Sequence, residues 1–114
     1  MKSQEAFYPV GRLEQLLPQI GRVVSFKGRE IALFRTSADQ IFALENRSPH
    51  PKGGPLAEGM VSGNYVYDPL YDWKIDLTSG RVQAPDTGQV LTFPVQVIDG
   101  QVLLGEPELQ GTGS

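Results

Sequence analysis

The chain has 114 residues, enough for one hydrophobic core and not two. Hydrophobic residues make up 39% and charged residues 20%, with a net charge of −3; the scattered Lys and Arg form no dense run, which argues against nucleic acid as a partner. No apolar stretch reaches the roughly 18 residues of a membrane span, so no membrane association is expected.

Thirteen glycines and nine prolines call for many turns. Leu13, Leu16 and Leu17 sit at helical spacing and predict one short helix over residues 12–17, ended by Pro18. Residues 22–26 alternate apolar and polar, Lys27-Gly28 supplies a tight turn, and residues 30–35 form the next strand. Ala38-Asp39-Gln40 turns the chain into a strand over residues 41–44. The regular spacing then stops. Residues 46–63 read as one long loop rich in Pro and Gly, and long ordered loops in compact domains are often functional. Strands resume at 65–67, 74–77, 91–97 and 101–104, with a second loop from Pro69 to Trp73 and a strong hairpin signal at Asp99-Gly100. Strands about ten residues apart predict an all-β sandwich or barrel. The domain is expected over residues 1–105, with a frayed tail over 106–114 that has nothing to bury. The absence of cysteine, and an N-terminal MKSQEAFYPV with neither a basic start nor an apolar core, set the expectation of a cytoplasmic protein.

No phosphate-binding loop, dinucleotide fingerprint or nucleophile elbow occurs. Ser48 has only His50 as a nearby base, and two residues apart in one loop is poor geometry for a catalytic pair. The carboxylates Glu45, Glu58, Asp72, Asp76 and Asp86 show no paired spacing and read as solvated loop acids. Lys52-Gly53-Gly54 suggests phosphate cradling, but no usable helix follows; a turn needing positive φ is the expected role. No catalytic residue is assigned.

The stretch ENRSPHPKGGPLAEGMVSGNYVYDPLYDWKIDLTSGRVQAPD, residues 45–86, resembles the core of a Rieske-type iron–sulfur domain. In that family a cluster sits between C-P-H-x-G-G-P-L and C-P-L-H-x-W. Here Ser48-Pro49-His50 stands near the first motif and Asp68-Pro69-Leu70-Tyr71 near the second. Phe7 to Gly11 resembles the opening strand, and Thr92-Phe93-Pro94-Val95 completes the pattern. The layout is similar to the Rieske-like small subunit of bacterial assimilatory NAD(P)H-dependent nitrite reductase; the ferredoxin component of aromatic-ring dioxygenases is the nearest rival. A Rieske centre takes two thiolates on one iron and two imidazoles on the other. A chain with no Cys and one His cannot supply them. The register of the first loop stays open: the family has one residue between His and Gly-Gly, whereas Pro51 and Lys52 both intervene here, so the ligand positions are either Ser48 and His50 or Pro49 and Pro51.

The resemblance implies an all-β Rieske-like domain with a sandwich or barrel base and a loop-rich subdomain. It implies a small, non-catalytic subunit in nitrate assimilation, without a cofactor of its own. FAD, sirohaem, an iron–sulfur cluster and the NAD(P)H site would belong to a large catalytic subunit that reduces nitrite to ammonium. Ser48, His50, Asp68 and Tyr71 would be degenerate cluster-ligand positions. The loop tips would face the partner through His50, Pro51, Lys52, Gly53, Leu70, Tyr71 and Asp72. Asp68 and Tyr71 are expected to hydrogen-bond to each other or to amides of the opposite loop, tying the loops together as a cluster would. Trp73 is expected to pack as a shelf on the core, with a partner surface as the other reading. His50 is expected to be a loop histidine, solvated or bonded to a backbone carbonyl; a residual metal ligand or proton shuttle is the rival reading. The alternative functions are a Rieske ferredoxin of an oxygenase system, or a stand-alone interaction or mononuclear-metal protein on the same scaffold.

Overall fold

In the computed structural model, which describes residues 6–107, the chain is built from ten short strands in three antiparallel sheets. The first sheet orders β1 (Tyr8–Arg12), β10 (Gln101–Leu104) and β9 (Val95–Ile98). The second orders β2 (Arg22–Phe26), β3 (Arg29–Arg35), β4 (Ile41–Glu45) and β8 (Thr92–Phe93). The third, smaller sheet orders β5 (Met60–Ser62), β6 (Tyr65–Tyr67) and β7 (Lys74–Asp76). The fold is all-β; among the described residues no helix is long and apolar enough to cross a membrane.

The sequence of β3 explains the layering. Ile31, Ala32, Leu33 and Phe34 are all buried, which a one-faced strand would not allow. Ile31 and Leu33 point into one core with Leu16, Phe26, Ala43, Phe93, Val102 and Leu104. Ala32 and Phe34 point into a second core with Leu44, Leu56, Val61, Val66, Ile75 and Leu77. The four-stranded sheet is therefore the middle layer. The β1–β10–β9 sheet covers one face and the small loop-bearing sheet covers the other.

Turn chemistry fixes the hairpins. Lys27 and Gly28 both have positive φ (53° and 80°), as do Asp99 and Gly100 (51° and 77°). Two consecutive left-handed residues match the twist of a two-residue hairpin. Tyr8 faces Leu104 across β1 and β10, so the domain begins and ends on paired strands.

Three expectations are corrected. The helix over 12–17 is only a 3₁₀ turn, Leu13–Gln15. Leu16 is buried while Leu17 is exposed, and Pro18 bridges to Arg35, so the apolar spacing serves one tight turn rather than a helical face. The strand over 91–97 is two strands in different sheets, divided at Pro94, which has no N–H to continue a ladder. The loop over 46–63 hides β5 and the start of its hairpin to β6, turned at Gly63 with φ 58°. The frayed tail expected over 106–114 lies outside the described residues from 108 onward; Glu106 pairs with Lys27 at 3.0 Å, and this hydrogen bond raises the Lys27 ammonium above its ordinary pKa.

Candidate functional site

Two loops meet on the small sheet. The first leaves β4 and runs to a 3₁₀ turn, Leu56–Glu58; the second leaves β6 at Asp68 and returns into β7. Asn46 fastens the start of the first loop. Its side-chain amide donates to Glu30 Oε1 (3.2 Å), and its Oδ1 accepts from Ala57 N–H (2.8 Å), so both ends of the loop are gathered on one residue.

Asp68 is the centre of the arrangement and is fully buried. Its Oδ2 accepts the amides of Leu70 (3.2 Å) and Tyr71, turning the second loop back on itself. Its Oδ1 reaches across and accepts the amide of Gly54 in the first loop (3.2 Å). The carboxylate has no cationic partner among the described ion pairs, so three amide dipoles balance its burial. Asp72 closes the loop by donating its N–H to the Asp68 carbonyl (3.0 Å) from a left-handed conformation, φ 59°.

The first loop supplies the facing groups. Ser48 is buried, and its Oγ accepts the His50 amide (3.1 Å). His50 Nδ1 accepts the Lys52 amide (2.9 Å). The structure thus replaces the expected carbonyl bond of His50 with the opposite polarity: this nitrogen is an acceptor, which leaves Nε2 to carry the proton of a neutral ring. The imidazole is only half exposed and not freely solvated. It stacks on Tyr71, with ring centroids 4.0 Å apart and planes 7° apart, and meets the edge of Trp73 at 4.7 Å. Trp73 in turn packs against the second core, as a shelf beneath the loops.

Two pairs of residues face each other across the loops. A Cβ on Gly53 would lie 2.4 Å from Ser48 Oγ and 2.6 Å from Asp68 Oδ1, so Ser48 and Asp68 converge from the two loops on one point. His50 and Tyr71 are the other facing pair. Pro51 and Lys52 form a turn, which the Gly53 N–H to His50 carbonyl bond closes at 3.0 Å. Gly53 and Gly54 are not in the positive-φ region, contrary to expectation. They are glycines because the loops touch there: a Cβ on Gly54 would meet Pro69 at 3.0 Å. Neither Gly53 nor Asn46 stood out in the sequence as a positioning residue.

Most of the residues expected at the loop tips are exposed, whereas Gly53 lies in the contact itself. Leu70 is 66% exposed and Tyr71 47%, while Pro51, Lys52 and Asp72 are exposed around them. A polar cleft of about 290 Å³ flanks the first loop, bounded by Glu30, Arg47 and His50. A less polar groove of about 450 Å³ flanks the second. Of the carboxylates read as solvated, Glu45 departs from that role: it accepts the Leu91 amide at 3.1 Å and helps hold β8 against β4.

A [2Fe–2S] cluster of the Rieske type does not fit these residues. The donor set has no thiolate and one imidazole. Both oxygens of Asp68 are engaged by amides, His50 Nδ1 is engaged by Lys52, and the rings of His50 and Tyr71 are already in contact. Among the described residues, no three His, Asp or Glu side chains gather at metal-binding distance.

Residues 6–105 match the Rieske-like [2Fe-2S] domain model. The chain is 33% identical over 108 residues to a 4β-methylsterol monooxygenase of Methylococcus capsulatus, covering 83% of this chain and 29% of that protein. It is 33% identical over 101 residues to the nitrite reductase [NAD(P)H] large subunit of Klebsiella oxytoca, covering 85% of this chain and 10% of that protein. The anthranilate 1,2-dioxygenase ferredoxin subunit of Burkholderia cepacia is 30% identical over 97 residues, covering 84% of this chain and 88% of the ferredoxin. Among solved structures, one described as an NADPH nitrite reductase small subunit superimposes with a TM-score of 0.77 at 27% identity, covering 87% of this chain and 97% of its own. The Escherichia coli protein NirD superimposes with a TM-score of 0.79 at 23% identity, covering 92% of this chain and 100% of its own. The chain belongs to the Rieske-like [2Fe-2S] domain family.

Proposed function

We propose that this protein is a small, non-catalytic subunit of an NAD(P)H-dependent nitrite reductase, working in nitrate assimilation without a cluster of its own. The observation that carries the reading is the loop clamp: Asp68 spends its hydrogen-bonding capacity on holding the two loops together, and His50 stacks on Tyr71 in place of a second ligand. A domain that keeps the loops ordered without a redox centre has kept a surface rather than a reaction. The full-length match to a nitrite reductase small subunit supports the same assignment. The expected partner is the large subunit, which would hold the FAD, sirohaem, iron–sulfur cluster and NAD(P)H site. The exposed face of His50, Lys52, Leu70, Tyr71 and Asp72 would meet it, combining aromatic, aliphatic and charged groups as interface centres do.

The test is co-purification with the large subunit, together with reconstitution by iron and sulfide. The expected results are a complex with the sirohaem enzyme and a small subunit that stays colourless. A Rieske-type EPR signal after reconstitution would refute the cluster-free part of the proposal.

A second reading, a Rieske ferredoxin of an oxygenase system, is favoured by the 30% identity to a dioxygenase ferredoxin over nearly its whole length. It requires a bound cluster, and the donor set described above argues against it. A stand-alone interaction or mononuclear-metal protein is separated from both by a stable metal stoichiometry in the absence of a partner.

A further inference from the structure

We infer that the groove beside the second loop receives an arginine side chain of the large subunit, an inference that rests on the subunit reading above. The groove has a volume of about 450 Å³ and is lined by Glu58, Met60, Ser62, Tyr67, Pro69 and Asp72 around the buried edge of Asp68. Its floor and its charge point to one chemistry. Met60 is 72% exposed, an unusual display for a flexible thioether, and it shares the groove with the ring of Pro69 and the half-buried Tyr67. Such a surface accepts an apolar stem and adapts to its shape. The charged lining residues are all acidic. Glu58 and Asp72 join none of the ion pairs among the described residues, and no Lys or Arg lines the groove.

An occupant must therefore be apolar along its length and cationic at its end. Lysine and arginine both bury their methylene stems while keeping a charged head at a polar rim. Arginine fits better here, because its planar fork can engage two carboxylates and can lie on an aromatic ring such as Tyr67. The groove is continuous with the tip surface through Pro69 and Asp72, so an arginine seated in it extends the same interface. Asp72 is held in place by its left-handed backbone and its N–H bond to Asp68, which presents its carboxylate at little further ordering cost.

The experiment is a calorimetric titration of the large subunit, at low and high salt, with wild type, Glu58→Gln, Asp72→Asn, the double variant and Tyr71→Ala. Both amide replacements preserve size, and asparagine tolerates the φ of position 72, so all are checked for unchanged thermal unfolding. The double variant is expected to bind about tenfold more weakly at low salt and to lose most of the salt dependence, as charge pairs at an interface do. Tyr71→Ala is expected to weaken binding while keeping the salt slope. If wild type binds and the double variant matches it in affinity and slope, the groove is not the arginine site and only this inference falls. If wild type does not bind, the subunit reading falls and takes this inference with it. Sedimentation gives the remaining arm: a homodimer that the double variant dissolves would assign the groove to a second copy of the chain and overturn the proposal.

Discussion

Replacing Asp68 with asparagine changes one atom's worth of chemistry at the point where both loops converge. The side chain keeps its shape, but one of its two acceptor oxygens becomes a donor. In aspartate, Oδ2 takes the amides of Leu70 and Tyr71 and Oδ1 takes the amide of Gly54. The better of the two asparagine orientations keeps its oxygen on the Leu70 and Tyr71 side, where two bonds survive. Its NH₂ then faces the Gly54 N–H, donor against donor, across the contact that joins the loops. The lost charge-assisted bond is worth about 1.5–3 kcal/mol, and leaving a part-buried amide unpaired adds about 1–3 kcal/mol. Partial relaxation of the loops brings the expected loss to roughly 2–4 kcal/mol. For a domain of this size that lowers Tm by roughly 10–20 °C. Urea unfolding followed by the fluorescence of Trp73, which lies under the loops, measures it directly. Asp72→Asn is the control: this carboxylate is exposed, and the backbone bond to the Asp68 carbonyl survives the change. A midpoint for Asp68→Asn within experimental error of wild type would refute the idea that this carboxylate clamps the loops.

Gly53→Ala inserts a methyl group into the contact with Ser48 and Asp68 and is expected to cost about 1–3 kcal/mol, read as a lower urea midpoint at an unchanged slope. Tyr71→Ala should weaken binding to the large subunit by roughly 1–3 kcal/mol, whereas Lys27→Ala, on the β2–β3 turn, should do little; equal affinities would move the interface to another face. Incubation with a strong chelator should leave Tm where it was. A fall of several degrees would instead show that metal binding is coupled to folding.

How much of this was readable from the residues differs by scale. The tight hairpins were legible because Lys27-Gly28 and Asp99-Gly100 carry their own backbone geometry, and local chemistry decides such turns. The burial of β3 on both faces was not: four consecutive apolar residues look the same whether one sheet or two will cover them. Pro94 signals a break, but only the tertiary arrangement shows that the chain changes sheets there. Gly63-Asn64 is itself a hairpin signal, masked by the many other glycines and prolines of the loop around it. Within the site, the ligand-like spacing singled out Ser48, His50, Asp68 and Tyr71, and the pairing of Asp68 with amides of both loops follows from its acceptor-only chemistry. The register could not be read, since an added residue between His50 and Gly53 can be absorbed on either side. The stacking of His50 on Tyr71 was equally illegible, because it joins residues far apart in the chain.

The pairing of Tyr8 with Leu104 bears on how such a domain can be assembled into larger proteins. The chain enters and leaves through neighbouring strands, and Phe7 lies beside Gly105, where an added Cβ would be 3.1 Å from its ring. A module with adjacent ports can be spliced into a surface turn of a host, because the host's own backbone continues across a gap of one strand spacing, about 5 Å. The splice leaves the two clamped loops intact. The same geometry permits circular permutation: joining the ends with a few glycines and reopening the chain at Gly28 would cut a surface turn and spare both cores.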